Sequence, residues 1–496
     1  MKLTVVCSLL AAWTGFGAIA ATNPSTGTAD TFFGLTNLYT FHLKIEPDQW
    51  AIMEQFVQPK SDFARGPGAG AGPGGMGPGM GPGMGLEFKS GTASLEFEGK
   101  LWGNLSVRFK GNSSFRFAQN SLKRSLKLDF NDLEKGRTFF GLNKLNLNNN
   151  AMDPSQLREA LAYHVFRAGG VPAGRTAFAK VFVTVPGKFE RAFAGIYTAV
   201  EQVDDHYLTA HCGAKGGLLL KPEHLPGLPY FGDNWSAYTN LIEVKGVAKP
   251  SDTRRFIEMV KLVNQSDSAR FQAAIGDYME VDEFLRFLAV EGLLANMDSP
   301  LMTGHNYYLH LNPKTRKFSW LPWDLNEAFG GFFPGGNASE QAELSVDHPF
   351  TSVNRLAERL LQAPATQARY RQIVRDLLAT SFSAEKLFPV IDSMAATVRP
   401  AVASDKMLTV AQFEAALSTT NPPATTTDER PRGFGFQPGR PNGPRGTRPA
   451  IKAFISQRVA SVQLQLQGKS TGYVPREMRP GQNGPRPFGP PMAPPQ

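Results

Sequence analysis

The sequence predicts an α+β protein, with a β-rich first lobe crossed by one helix and a mainly helical second lobe. Three observations carry this. Apolar–polar alternation recurs at Phe41–Ile45, Leu95–Glu98, Leu105–Lys110, Leu122–Phe130 and Leu142–Leu147, the period of half-buried strands. One helical stripe, Leu157, Leu161, Val165 and Phe166, interrupts them before two more strand runs, Ala179–Val185 and Ala194–Val200. From Asp252 onward helical spacing dominates.

Taken in order, residues 1–20 read as a signal peptide. Lys2 is followed by an apolar stretch and the small-x-small pattern Ala18-Ile19-Ala20. Glu46-Pro47-Asp48 ends the first strand and starts a short helix through Trp50 and Met53. Gly66–Gly85 is a Gly/Pro/Met tract expected to be an insertion loop. Its formal GxGxxG has no strand before it and no helix after it, so it carries no dinucleotide reading. Asp153-Pro154-Ser155 opens the crossing helix, with Asp as cap and Pro in the first turn, and Gly169-Gly170 ends it. Pro186-Gly187 turns between the next two strands.

Helices are then expected over 252–263, 269–276, 281–296, 354–361, 368–380, 384–398 and 451–466. A strand pair lies at Asn306–Leu311 and Phe318–Leu321. The folded domain is placed at 36–400 with a helical extension at 401–418. A terminal helix at 450–467 separates two Pro/Gly/Arg-rich stretches, 419–449 and 468–496, that have the composition of unfolded chain.

The net charge is +9 over 496 residues. From Arg430 onward there are eleven Lys/Arg against one acid, Glu477, so the rest of the chain is close to neutral. A nucleic-acid partner needs a basic folded face, which the composition does not offer. After signal cleavage one cysteine, Cys212, remains, so no intramolecular disulfide forms, and no later stretch is apolar enough to span a bilayer. Scattered histidines exclude a zinc site by spacing, and no Gly-x-Ser-x-Gly elbow is present.

Leu321-Pro322-Trp323-Asp324-Leu325-Asn326-Glu327 presents one carboxylate, Asp324, where a strand ends in a turn. A metal-binding carboxylate is held rigidly in such a place. The spacing of Asp324 and Glu327 equally suits a helix N-cap box. Gly111-Asn112-Ser113-Ser114 joins two strands with small side chains and exposed N–H groups able to wrap phosphate oxygens, or is an ordinary turn.

These segments together resemble the CotH-type, or spore-coat kinase, family. The resemblance rests on Val107-Arg108-Phe109-Lys110-Gly111-Asn112-Ser113-Ser114, Lys123-Arg124-Ser125, Asp153-Pro154-Ser155 with Arg158, and Gly195-Ile196-Tyr197 with Glu201. It continues through Asn296–Asp298, Asn306-Tyr307-Tyr308 and Trp323-Asp324, in matching order over roughly 36–399. It implies a divergent bilobal protein-kinase-like fold, with an antiparallel-sheet N-lobe and a helical C-lobe. The activity implied is metal-dependent transfer of the γ-phosphoryl of ATP, with Mg²⁺ or Mn²⁺, to Ser/Thr of an exported or surface protein.

By that resemblance Asp324 and Asn306 hold the metal and Asp298 orients the acceptor hydroxyl. Lys123 pairs with phosphate, with Lys127 as its rival. Gly111, Asn112, Ser113 and Ser114 cover the phosphates, supported by Arg108, and Glu201 lies near the adenine. Each position has a plainer reading: Asp298 as a turn residue, Asn306 as a backbone partner, the lysines as a solvated strand face, Glu201 as a lobe-linking ion-pair partner. Walker, His-Arg-Asp and Asp-Phe-Gly motifs are absent, and Asn326 stands where many relatives are expected to carry an acid. The competing function is a non-catalytic surface or matrix protein that binds through its Gly/Pro/Arg tails. A glycoside hydrolase built on Asp298 and Asp324 ranks last, for want of an aromatic sugar platform.

Overall fold

The structure, a computed structural model, describes residues 27–57, 86–223, 225–351, 354–421 and 448–476. The expected signal peptide, the Gly66–Gly85 tract and most of the two Pro/Gly/Arg stretches lie outside the described residues.

In chain order the elements are α1 (Ala29–Phe32), β1 (Leu38–Ile45), α2 (Pro47–Met53), β2 (Phe56–Val57), β3 (Glu87–Phe88), β4 (Gly91–Phe97), β5 (Lys100–Phe109), α3 (Ser113–Ala118), β6 (Leu126–Asp129), β7 (Lys144–Asn148) and α4 (Arg158–Ala168). Then follow β8 (Thr176–Val185), β9 (Phe189–Glu201), α5 (Asp205–Cys212), β10 (Leu218–Pro222), β11 (Ile242–Val244), α6 (Pro250–Gln265), α7 (Ser268–Ala274) and α8 (Val281–Leu294). The chain continues through β12 (Tyr307–Leu311), β13 (Phe318–Pro322), α9 (Ala338–Ala342), α10 (Arg355–Leu361), α11 (Pro364–Thr380), α12 (Ala384–Val402), α13 (Val410–Leu417) and α14 (Ile451–Leu466). The mixed α+β class read from periodicity is what the chain adopts.

The first sheet differs from the expected antiparallel one. It closes into a barrel in the order β1-β4-β5-β6-β7-β9-β8, and β8 returns to β1 in parallel register, Leu38 opposite Phe178 through Lys44 opposite Thr184. Closure leaves no strand edge exposed. Alternation fills the barrel: β4 reads buried–half-buried along its length, and Phe41, Leu43, Leu95, Val107, Leu128 and Leu147 point inward. At about 25 cal/mol per Å² of apolar surface, burying each of these side chains contributes on the order of 2 kcal/mol before entropy is counted.

The same parity turns Arg108, Lys127 and Asn146 to the outer face, where they stand in one row across β5, β6 and β7. Lys110 and Asn148 follow two residues along. That face meets the second half of the molecule, a helical core whose α8 is buried along most of its length. This half also holds a four-stranded sheet, β11-β10-β12-β13. The strands β10 and β11 and the helix α5 were not anticipated; they are short and their apolar runs lack clear period. The helix α4 begins at Arg158 rather than at Pro154. Asp153 caps it from outside, accepting from the Ser155 and Arg158 N–H groups at 3.0 and 2.9 Å.

Candidate active site

The antiparallel β12–β13 pair sets the acidic end of the site. Tyr307 lies opposite Pro322, so the residues just outside this pair, Asn306 and Asp324, meet at the open end of the hairpin. The Trp323 N–H donates to the Asn306 carbonyl at 3.0 Å and fixes that end. Both Asn306 (φ 62°) and Asp324 (φ 53°) occupy the left-handed region, which costs a non-glycine residue on the order of 1 kcal/mol and is concentrated at functional sites. No helix follows Asp324, and the next regular α-helix starts at Ala338, so the N-cap reading of Asp324 and Glu327 is corrected.

Asp298 is carried by the turn after α8, which ends on Ala295 with φ 44°. The Asn306 side-chain amide donates to the Asp298 carbonyl at 2.8 Å and to its Oδ2 at 3.2 Å. His305 Nε2 lies 2.7 Å from Asp298 Oδ1. Burial disfavours the imidazolium, but this bond and the nearby carboxylates prevail and push the His305 pKa up. The turn is braced from behind by Glu291, which accepts from the Asn296 amide at 2.9 Å. Burial pushes Glu291 up to about 8.

Facing Asp324 is Lys110. Its Nζ donates to Asn148 Oδ1 at 2.7 Å, and Asn148 Nδ2 donates to both oxygens of Glu159 at 2.7 and 2.9 Å. Lys110 also stacks its ammonium 5.3 Å from the Trp323 ring. Burial lowers the Lys110 pKa to about 8, against the pull of Asp324 and Glu159. Burial and the Asp324 charge push Glu159 up to about 8. Asp324 is itself raised by burial and by Asp298, with Lys110, Lys221 and His305 opposing.

Beside this chain stands a row of cations. Lys127 forms no hydrogen bond or ion pair among the described residues. Burial and the surrounding charges of Arg108, Lys110, Lys144 and Lys245 depress its pKa to about 7. Among the described residues Arg108 donates to its neighbour's carbonyl, Phe109 O, at 3.1 Å and to no carboxylate. Half-buried cations of this kind are able to receive an anion.

The structure thus brings Asp298, Asn306 and Asp324 together, with Arg108 and Lys127 on the facing sheet. It does not bring Lys123 there: its Nζ lies 2.5 Å from Asp405 Oδ2 and 3.0 Å from Gln156 Oε1, fully buried. Glu201 is also fully buried, bound by Arg175 and His211, with His206 at 3.7 Å, and these donors pull its pKa far down. Its carboxylate therefore faces an ion-pair hub. Gly111 (φ 88°) turns the chain straight into α3, with Asn112 preceding the helix and Ser113 and Ser114 in its first turn. A Cβ on Gly111 would fall 2.3 Å from Ser114 Oγ, so only glycine fits this turn.

Sequence reasoning missed Lys110, Asn148, Glu159 and His305 as site residues. The signal available was Glu159 with Tyr163 one turn on, two polar groups buried in α4 among Ala160, Leu161 and Ala162.

A divalent cation fits the acidic end chemically. Asp298, Asn306 and Asp324 offer hard oxygen donors, and the charge of Asp324, disfavoured first by burial and then by Asp298, is one that a bound cation would relieve. Among the described residues no group of three His, Cys, Asp or Glu side chains forms a cage by itself. Further oxygens must come from solvent or substrate, as Mg²⁺ commonly requires.

The chain has relatives among known proteins. The chain is similar to the inner spore coat protein H of Bacillus subtilis, 26% identical over 273 residues, covering 54% of this chain and 71% of that protein. It is similar to the spore coat protein homolog 1 of Rhizopus delemar, 23% identical over 290 residues, covering 56% of this chain and 45% of the relative. Among solved structures, the HipA–HipB–operator complex of Shewanella oneidensis aligns with a TM-score of 0.27 at 13% identity, covering 69% of this chain and 63% of that one. The Helicobacter pylori proinflammatory kinase CtkA aligns with a TM-score of 0.23 at 11% identity, covering 56% and 90%. Superpositions this loose carry no weight for the site. A family model described as CotH kinase protein matches residues 107–419, and the chain belongs to that family.

Proposed function

We propose that the protein is an exported, metal-dependent phosphotransferase on a divergent bilobal kinase-like fold, moving the γ-phosphoryl of ATP to Ser/Thr of a surface or secreted protein. One observation carries the reading: Lys110, tied through Asn148 to Glu159 on α4, faces Asp324 across a cleft whose acidic end is Asp298, Asn306 and Asp324. A cation positioned by an amide that a helix carboxylate orients, opposite a metal-type carboxylate, suits the positioning and charge neutralisation that phosphoryl transfer demands.

In this scheme the acceptor hydroxyl oxygen bonds to the γ-phosphorus as the bond from that phosphorus to the bridging oxygen breaks. The hydroxyl proton passes to Asp298, which His305 and Asn306 hold in orientation. Lys110, in the role the family resemblance implied for Lys123, pairs with phosphate oxygens, and Lys127 and Arg108 offset further charge. Asp324 and Asn306 hold the divalent cation, which when bound neutralises charge on the transferring group.

The alternative, a non-catalytic scaffold of the same family, is favoured by a specific observation: both Asp298 oxygens already have partners, and Asn326 occupies the position expected to be acidic. Transfer of labelled phosphate from ATP by the purified chain, with Mg²⁺ or Mn²⁺, separates the two. Transfer lost in Asp324→Ala and Lys110→Ala but kept in a surface variant supports the kinase. No transfer with metal-dependent ATP binding supports the scaffold.

A further inference from the structure

The loop that follows Asp324 is gripped from two sides by arginines distant in sequence. Arg448 donates from Nη1 to the Asn326 carbonyl at 3.0 Å and pairs through Nη2 with Glu327 Oε1 at 2.5 Å. Arg158, fully buried, donates from Nη1 to the carbonyls of Ala328 and Phe329 at 3.1 and 3.0 Å, and from Nη2 to the Pro449 carbonyl. The strap Arg448-Pro449-Ala450 is therefore joined to both the loop and α4. It is fixed in turn by α14, whose Phe454 and Arg458 are buried and whose Arg458 donates to Gly292 and Leu344 carbonyls. The loop is shaped for it: a Cβ on Gly330 (φ 70°) would meet Phe454 at 2.8 Å, and one on Gly331 would lie 3.1 Å from Arg448 Nη1.

All of this strap lies outside the family match, which ends at residue 419. Yet Arg158 precedes Glu159, the residue that holds Asn148 and Lys110, so one helical turn ties the strap to both ends of the site. We infer that Arg448 is a positioning residue, which holds the Asp324 loop in the geometry that binds a divalent cation. This rests on the metal role proposed for Asp324.

The test uses the full mature chain and two readouts: Mn²⁺ binding by the metal alone, followed by electron paramagnetic resonance, and hydrogen exchange across 325–331. Arg448→Ala is expected to weaken Mn²⁺ binding by roughly tenfold, as loss of a residue that orients a metal ligand does. It should speed exchange at Phe329 and Gly331, whose N–H groups donate to Leu294 and Glu327 carbonyls. Arg448→Lys, which keeps the charge but not the two-pronged grip, is expected to restore part of both. Glu327→Gln is the milder variant if Arg448→Ala unfolds, and should move both readouts in the same direction. Mn²⁺ affinity unchanged in Arg448→Ala, when the wild type does bind Mn²⁺, overturns the inference. If the wild type binds no Mn²⁺, the metal role fails instead. Loop exchange then decides alone: faster exchange in Arg448→Ala keeps the positioning role, unchanged exchange ends it.

Discussion

Lys123 places its ammonium 2.5 Å from the carboxylate of Asp405, both side chains almost wholly buried and 282 residues apart in the chain. The pair ties the barrel to the turn between α12 and α13, and Asp405 also accepts from the Ile196 N–H at 3.3 Å. Removing one partner leaves the other charged and out of water, which costs about 3–5 kcal/mol. Lys123→Ala is therefore expected to lower the denaturant midpoint sharply, with loss of activity following unfolding. Lys110→Met leaves Asp324 and Glu159, whose raised pKa values let them protonate, so it should change the unfolding free energy by only about 1 kcal/mol and lose nucleotide affinity. Chemical denaturation run beside ATP-binding isotherms checks both; the reverse pattern would return the phosphate role to Lys123.

Asp324 shows the cost of holding a carboxylate for function. Burial and Asp298 raise its pKa, so its charged form destabilises the fold at neutral pH. Asp324→Asn keeps the shape and removes the charge. Its Tm is expected at or above that of the wild type, while metal-dependent nucleotide binding disappears. Calorimetry with and without Mn²⁺ reads both, and a clear fall in Tm would recast Asp324 as a structural residue.

Much of this site was legible because register is local. Alternation marked β12 and β13, and a hairpin of known register must bring Asn306 and Asp324 to one end. The choice among Arg108, Lys110, Lys123 and Lys127 was not legible. It depends on which face of β5 and β6 meets the helical half, and on an Asp405 that no local pattern links to Lys123. Barrel closure was hidden for the same reason, since the β1–β8 pairing spans most of the first half of the chain. Glu201 sat at the strand end where the resemblance put it, but its side chain is claimed by Arg175 and His211.

Stability should also depend on pH through Glu291. Its folded pKa of about 8 lies above its ordinary 4.5 because it is buried behind the Asp298 turn. The folded state binds the proton more tightly than the unfolded state, so this contribution is fully present below about pH 4.5. It is lost as pH rises through about 8. Glu291→Gln, which keeps the bond to Asn296 in kind, is expected to flatten the fall in unfolding free energy between pH 5 and 8. Urea titrations at several pH values test this; parallel profiles would mean Glu291 stays ionised in the fold.

Lys127 offers the most direct test of where the nucleotide phosphates lie. Alone among cations and half-buried, it has a pKa of about 7, so at pH 7.5 a sizeable fraction is neutral. A phosphate bound beside it favours the ammonium and raises that pKa, so ATP binding at pH 7.5 must take up protons. Isothermal titration in buffers of different ionisation enthalpy measures the uptake as the slope of observed heat against buffer enthalpy. The wild type is expected to take up a fraction of a proton that shrinks toward zero by pH 5.5, where Lys127 is already charged. Lys127→Met should abolish most of the slope and weaken ATP roughly tenfold or more, the loss of one charge-assisted contact. A slope unchanged in Lys127→Met would place the phosphates away from the β5–β6 face and leave Lys110 as the cation to examine.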